Sequence, residues 1–182
     1  LFRSEILCAA QEFRRVSFAE PMIDMLTAGF GVPKSYFTDR DLKENPIPEL
    51  CGKSPRRLMQ MLGNDWGRYR VDPDVWVKIA ARKIDYLRKL ASSKNAYIEG
   101  IVVSDVRHYN EYDYIHTQGG SIWHIRRPNN PHEINTTHTS AKSLDVHPHL
   151  DIVIVNDDDI DHLAEKINLI LHPNITESTE NA

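Results

Sequence analysis

Apolar residues recur along this chain in two alternating rhythms. Short apolar runs bounded by polar residues and turn signals predict strands over residues 14–18, 98–104, 121–125 and 150–155, the second carrying Ile101, Val102 and Val103 together. Runs of this kind suit strands covered on both faces, as in a parallel sheet. Helical signals lie between them. Residues 4–12 read as a helix, and residues 21–28 begin with Pro21 in a first-turn position and stop near Gly29 and Gly31. Ser54-Pro55 is a cap followed by a first-turn proline, opening a helix to about Arg70. Asp72-Pro73 repeats that signal for a helix to about Leu90, whose apolar face holds Trp76, Ile79, Ala80, Leu87 and Leu90. Helices over residues 110–117, stopped by Gly119-Gly120, and 160–171, closed by Pro173, complete the set.

Strands alternating with helices imply βαβ units, hence an α/β fold with a mostly parallel open sheet and flanking helices. The stretch between the first two strands is far longer than a simple crossover, so residues from about 30 to 95 are expected to form a helical insertion over the sheet. Residues 127–149, rich in proline and histidine, read as a lid-like loop, and residues 174–182 as a polar tail. Residues 1–173 then make one domain.

Composition narrows the classes of function. The chain has 182 residues, a size that suits one domain, and a net charge of -4, so no global positive field favours a nucleic acid polymer. No apolar run approaches the roughly 20 residues that span a bilayer, and no signal-peptide pattern opens the chain. Two cysteines, Cys8 and Cys51, offer no disulfide framework. A cytoplasmic, reducing setting without membrane partners is the expectation. Nine histidines, with His147-Pro148-His149 the densest group, invite a metal reading, but no HExxH, CxxC or similar ligand spacing occurs and no metal site is expected. No GxSxG elbow or recognisable cysteine context supports a nucleophile.

Open parallel sheets bind ligands beyond the carboxyl ends of their strands. Those ends read Ala19-Glu20-Pro21, Ser104-Asp105-Val106-Arg107, Arg126-Arg127-Pro128 and Asn156-Asp157-Asp158. Arginine forks match phosphate geometry, and a nearby carboxylate can hold magnesium or orient an arginine. A second informative stretch is residues 54–68. At about 100° per residue Arg57, Gln60, Asn64 and Arg68 share one stripe, with Leu58, Met59, Leu62 and Trp66 on the opposing arc. Two cations and two amides suit a nucleotide's phosphate and base. Trp66 and Trp76 are expected in the core.

FRRVSFAEP from Phe13, SPRRLMQMLGNDWGR from Ser54, DVWV from Asp74, VVSDVRHYNE from Val102, IRRP from Ile125 and VND from Val155 occur in this order along the chain. Together they resemble the phage-type deoxynucleoside monophosphate kinases. The resemblance implies a P-loop kinase-like fold and transfer of the γ-phosphoryl group of ATP, with Mg2+, to a (deoxy)nucleoside monophosphate, giving the diphosphate. By position it implies catalytic roles for Asp105, Arg107, Arg126 and Arg127. It makes Arg57, Gln60, Asn64, Arg68 and Trp76 the substrate-binding candidates and puts Asn156 near the ATP base. The chain departs from the family at two places. The GxxxxGK[ST] loop that cradles phosphates does not occur in it, and residues 4–12 resemble the helix that follows that loop, which would put the loop ahead of Leu1. In His138-Thr139-Ser140-Ala141 an alanine stands where the family tends to have an acidic residue. Two other readings stand beside the kinase. One is a degenerate, P-loop-less member that binds nucleotide or a protein partner without catalysis; the other is an interaction protein on a borrowed fold. Exposed sheet edges would also allow a partner chain such as a second copy, giving a homodimer.

Overall fold

A computed structural model describes residues 13–93, 97–128 and 144–172. They form a mixed α/β structure of short parallel strands and several helices, divided into two compact units, one running up to Val106 and the other from Arg107 onward. The expected helix at residues 4–12, most of the expected lid and the polar tail lie outside the described residues.

In the first unit, strand β1 (Phe13–Ser17) pairs in parallel with β2 (Gly100–Ser104), Val16 opposite Val103 and Ser17 opposite Ser104. Gly100 is required by its neighbour, since a Cβ there would lie 2.3 Å from the Phe13 ring. Val16 and Phe18 are buried, and they anchor the strand end from which helix α1 (Glu20–Phe30) departs. Pro21 sits in the first turn of α1, and Gly31 closes it with φ 68, the left-handed geometry glycine adopts without strain. The long connection to β2 is helical, as the sequence predicts. It also holds a single turn, α2 (Ser35–Thr38), and a 3-10 turn at Pro48–Leu50, two elements too short for periodicity to reveal. Leu26, Val32, Phe37, Leu50 and Leu58 make the core of this lobe.

Helix α3 (Pro55–Gln60) begins as expected, with Ser54 capping the Arg57 N–H at 3.3 Å. Beyond Gln60 the expectation of an ordinary helix fails, because Met61–Val71 winds as a π-helix. Its wider i→i+5 turn carries Gly63 and Gly67 onto the buried face and rolls Trp66 outward, to 45% exposure, against the core position expected for it. Helix α4 (Val75–Ser92) follows and buries Trp76, Val77, Ala80, Ile84 and Leu87.

In the second unit, helix α5 (Tyr109–Thr117) precedes strand β3 (Trp123–Arg126), which pairs in parallel with β4 (Ile152–Val155). Helix α6 (Ile160–Leu171), capped by Asp159 on the His162 N–H, packs Leu163 and Ile167 on Ile154. No helix among the described residues is long and apolar enough to cross a membrane. Leu163 has no exposed surface, so Leu163→Ala should cost about 3 kcal/mol in urea unfolding. A loss below about 1 kcal/mol would contradict this packing.

Candidate functional site

The two strand ends of the first unit come together in register. Asp105 follows β2 directly and adopts φ 64, a left-handed conformation that costs a non-glycine residue about 1 kcal/mol or more. Its carboxylate is fastened from the neighbouring strand. The buried Ser17 hydroxyl donates to Asp105 Oδ2 at 2.7 Å, and Ser17 Oγ in turn accepts the Ala19 N–H at 3.1 Å. The Ser104 hydroxyl adds a longer contact at 3.4 Å. Asp105 itself is exposed, so an anchored carboxylate stands at the sheet's carboxyl edge. Sequence reasoning missed Ser17, although its two-residue spacing from Ala19 is an ST-turn signal.

The second element is the band over α3 and the π-helix. Arg57 is exposed, while Gln60, Asn64 and Arg68 are half-buried. Because the winding widens after Gln60, the four residues do not form the narrow stripe expected at 100° per residue. They make a band, with Arg57 and Arg68 toward its two margins. Arg68 Nη1 donates to the Pro73 carbonyl at 3.2 Å. The adjacent Arg56 is committed elsewhere, since its Nε lies 2.7 and 2.8 Å from the two carboxylate oxygens of Glu44 and holds that carboxyl below its usual range. Trp76 is 1% exposed, in the core as expected. Its indole Nε1 donates to the Gly63 carbonyl at 2.9 Å, so it reaches the band through the backbone that carries Asn64 and Arg68.

In the second unit Arg107, Arg126 and Arg127 are all exposed. Glu111, 2% exposed, shapes the loop under Arg107 by accepting the Arg107 N–H at 2.7 Å and the His108 N–H at 3.1 Å on one oxygen. This glutamate is the last residue of the VVSDVRHYNE block, and its signal was a capping-box position at the start of α5. Arg126 ends β3, and its carbonyl accepts the Asn156 N–H at 2.7 Å, which extends the β3–β4 pairing by one rung. The Asn156 side chain is buried, and its Oδ1 has no hydrogen-bond partner among the described residues. A buried acceptor of this kind is costly unless a donor meets it.

The same unit contains a polar joint that no motif pointed to. Asp151 Oδ2 accepts from the Tyr112 hydroxyl at 2.7 Å and the His147 N–H at 2.7 Å, and the His124 Nε2 lies 3.0 Å from it. The Ile122 N–H reaches Oδ1 at 3.4 Å, and His116 Nε2 stands 3.1 Å from that oxygen without hydrogen-bond alignment. Burial opposes ionisation of Asp151, but these donors outweigh it and hold the carboxyl at about 2. Burial and the adjacent carboxylate push Tyr112 up to about 12. An ionised carboxylate can only accept, so His124 carries its proton on Nε2. The joint ties α5 and β3 to the stretch that enters β4. Among the described residues no group of three or more histidine, cysteine, aspartate or glutamate side chains is placed to hold a metal ion.

A family model described as deoxynucleotide monophosphate kinase matches residues 48–167. Over 114 residues, 63% of this chain, the sequence is 37% identical to the deoxynucleotide monophosphate kinase of Enterobacteria phage T4, covering 44% of that protein. It is 29% identical over 159 residues to a putative deoxynucleotide monophosphate kinase of Acanthamoeba polyphaga mimivirus, a match covering 85% of this chain and 81% of the relative. The deoxynucleotide monophosphate kinase of Escherichia phage RB69 is 32% identical over 118 residues, 65% of this chain and 45% of that protein. The chain therefore matches less than half the length of the two phage relatives.

The Asp151 joint predicts a defined acid response. A carboxyl held below its ordinary value near 3.8 contributes stability that is fully present above that pH and is lost as pH falls through about 2. Asp151→Asn should therefore destabilise the protein by roughly 2 kcal/mol at pH 7 and flatten the acid limb of denaturant unfolding measured between pH 5 and 2. Wild-type stability of the variant at pH 7 would contradict the joint.

Proposed function

Because the chain belongs to the deoxynucleotide monophosphate kinase family, we propose that it transfers the γ-phosphoryl group of ATP to a deoxynucleoside monophosphate, giving the diphosphate. The observation that carries this reading is the band of Arg57, Gln60, Asn64 and Arg68, which gathers two guanidinium groups and two amides along the continuous winding of α3 and the π-helix. Guanidinium forks suit the acceptor phosphate, and amides, which donate and accept, suit base edges.

The reaction needs little covalent help from the protein. An oxygen of the acceptor phosphate, already ionised at neutral pH, attacks the γ phosphorus in line. The bond between that phosphorus and the β–γ bridging oxygen breaks, and ADP leaves with the electron pair, so no proton has to be removed first. Catalysis then rests on positioning and on cations around the transferring group. Arg107, on the loop held by Glu111, and Arg126 and Arg127, at the end of β3, are the side chains suited to that charge. Asn156 Oδ1, lacking a partner among the described residues, suits the amino group of the ATP base. Bound magnesium would neutralise phosphate charge, and Asp105, fixed by Ser17, is the carboxylate whose chemistry fits it.

A second reading needs only the band over α3 and the π-helix. It is monophosphate binding without transfer. A coupled assay for ADP formation with Mg2+, ATP and each of the four deoxynucleoside monophosphates separates the two. The kinase reading expects turnover with at least one acceptor, lowered about 10²–10³-fold by Arg107→Ala, whereas Arg68→Ala should act chiefly by raising KM. Monophosphate binding with no turnover would leave the second reading standing and end the first. No binding of any monophosphate would end both.

A further inference from the structure

Extended π winding is rare; most instances are single-turn bulges inside α-helices, often at functional sites. Here it runs over eleven residues, Met61–Val71, directly after the ordinary α-helical turns of α3. Its cause is visible on the buried side. Gly67 lies flat against the Trp76 indole, so close that a Cβ at this position would stand 2.6 Å from Cζ2, 2.8 Å from Cε2 and 2.9 Å from Nε1. The same indole donates its N–H to the Gly63 carbonyl four residues earlier. Residues four apart lie on one face of the winding, so one ring can meet both glycines.

An α-helix through the same residues would turn that pair of glycines to a different side. Continued at the spacing of α3, Gly67 would turn toward the face carrying Arg57 and Gln60, and the bulky Trp66 would turn inward. By Arg68 the two windings differ by roughly a third of a turn or more. The observed exposures follow the π winding: Gly63 and Gly67 are buried, Trp66 is half out in solvent and Tyr69 is 83% exposed. The chain beyond the π-helix brings the indole back to the glycines. The Asp72 N–H bonds the Gly67 carbonyl at 2.9 Å, the Asp72 carboxylate accepts the Asp74 N–H at 2.7 Å and pairs with Lys78, and α4 then carries Trp76 inward.

We propose that Trp76 is a positioning residue. By filling the space over Gly67 and bonding Gly63, it excludes Trp66 from the core and holds residues 61–71 in the winding that aims Asn64 and Arg68, relative to Arg57 and Gln60, at the acceptor monophosphate. The part that concerns the acceptor rests on the kinase-family reading above; the part that concerns the winding does not.

The test uses the full chain with its three tryptophans labelled as 5-fluorotryptophan, so that the solvent isotope shift of the Trp66 fluorine resonance reports its exposure. In parallel, affinity is measured for each of the four deoxynucleoside 5′-monophosphates. Trp76→Leu vacates the space over Gly67. It should remove most of the Trp66 isotope shift and weaken monophosphate binding about tenfold to a hundredfold. Trp76→Phe, which keeps a flat ring on Gly67, should keep Trp66 exposed and most of the affinity. If Trp76→Leu does not fold, Gly67→Ala makes the same test by adding a methyl under the ring. A Trp66 that stays as exposed as in the wild type, with unchanged affinity, in a folded Trp76→Leu or Gly67→Ala variant overturns the proposal. If the wild type binds none of the four monophosphates, the functional reading fails instead, and the Trp66 resonance alone decides whether the lock exists.

Discussion

A glycine inside a helix costs about 1 kcal/mol relative to alanine, and this chain places Gly63 and Gly67 four residues apart in the middle of one. The cost is offset by a single side chain. Trp76, fully inside the core, covers Gly67 with its ring and bonds the Gly63 carbonyl, burying an indole whose N–H would otherwise lack a partner. Everything outward of that contact depends on it: which side of the helix is polar, where Trp66 goes, and how far apart Arg57 and Arg68 stand. The polar surface of this lobe is, in this sense, set from behind.

The strand ends follow a related logic, in which a buried polar residue fixes an exposed functional one. Ser17 ties the strained Asp105 across the β1–β2 ladder, and Glu111 ties the backbone under Arg107. In both cases the candidate residue is exposed, while the group that fastens it is buried. Such support matters where the reaction is catalysed by placement of charge, because a displacement near 1 Å can cost about a hundredfold. Asn156 reverses the pattern, being itself buried, with an amide oxygen that has no hydrogen-bond partner among the described residues.

The strands were legible because each is a short apolar run with polar ends, and all four lie within three residues of their expected limits. The helix starts near Pro21 and at Pro55 were legible from cap and proline chemistry, and the Asp72-Pro73 signal falls just ahead of the start of α4 at Val75. The π winding was not, because residues 54–68 fit an α-helical period well and the two glycines read only as weak points. Their four-residue spacing, followed by a tryptophan nine residues after Gly67, was the available signal. The Asp151 joint was also invisible, since Tyr112 and His124 lie 39 and 27 residues from it in sequence and only tertiary folding brings them together. Of the candidate residues, Arg57, Asp105, Arg107, Arg126 and Arg127 are exposed and Gln60, Asn64 and Arg68 half-buried, while Asn156 and Trp76 are buried.

The π-wound band is proposed to grip the phosphate of an acceptor nucleotide. Amide hydrogen exchange with and without a saturating deoxynucleoside monophosphate tests it most directly, with the matching nucleoside as the control that lacks only the phosphate. A phosphate grip there slows exchange across Met61–Val71 with the monophosphate and changes it little with the nucleoside. Equal protection by both ligands, or protection confined to other parts of the chain, would contradict it.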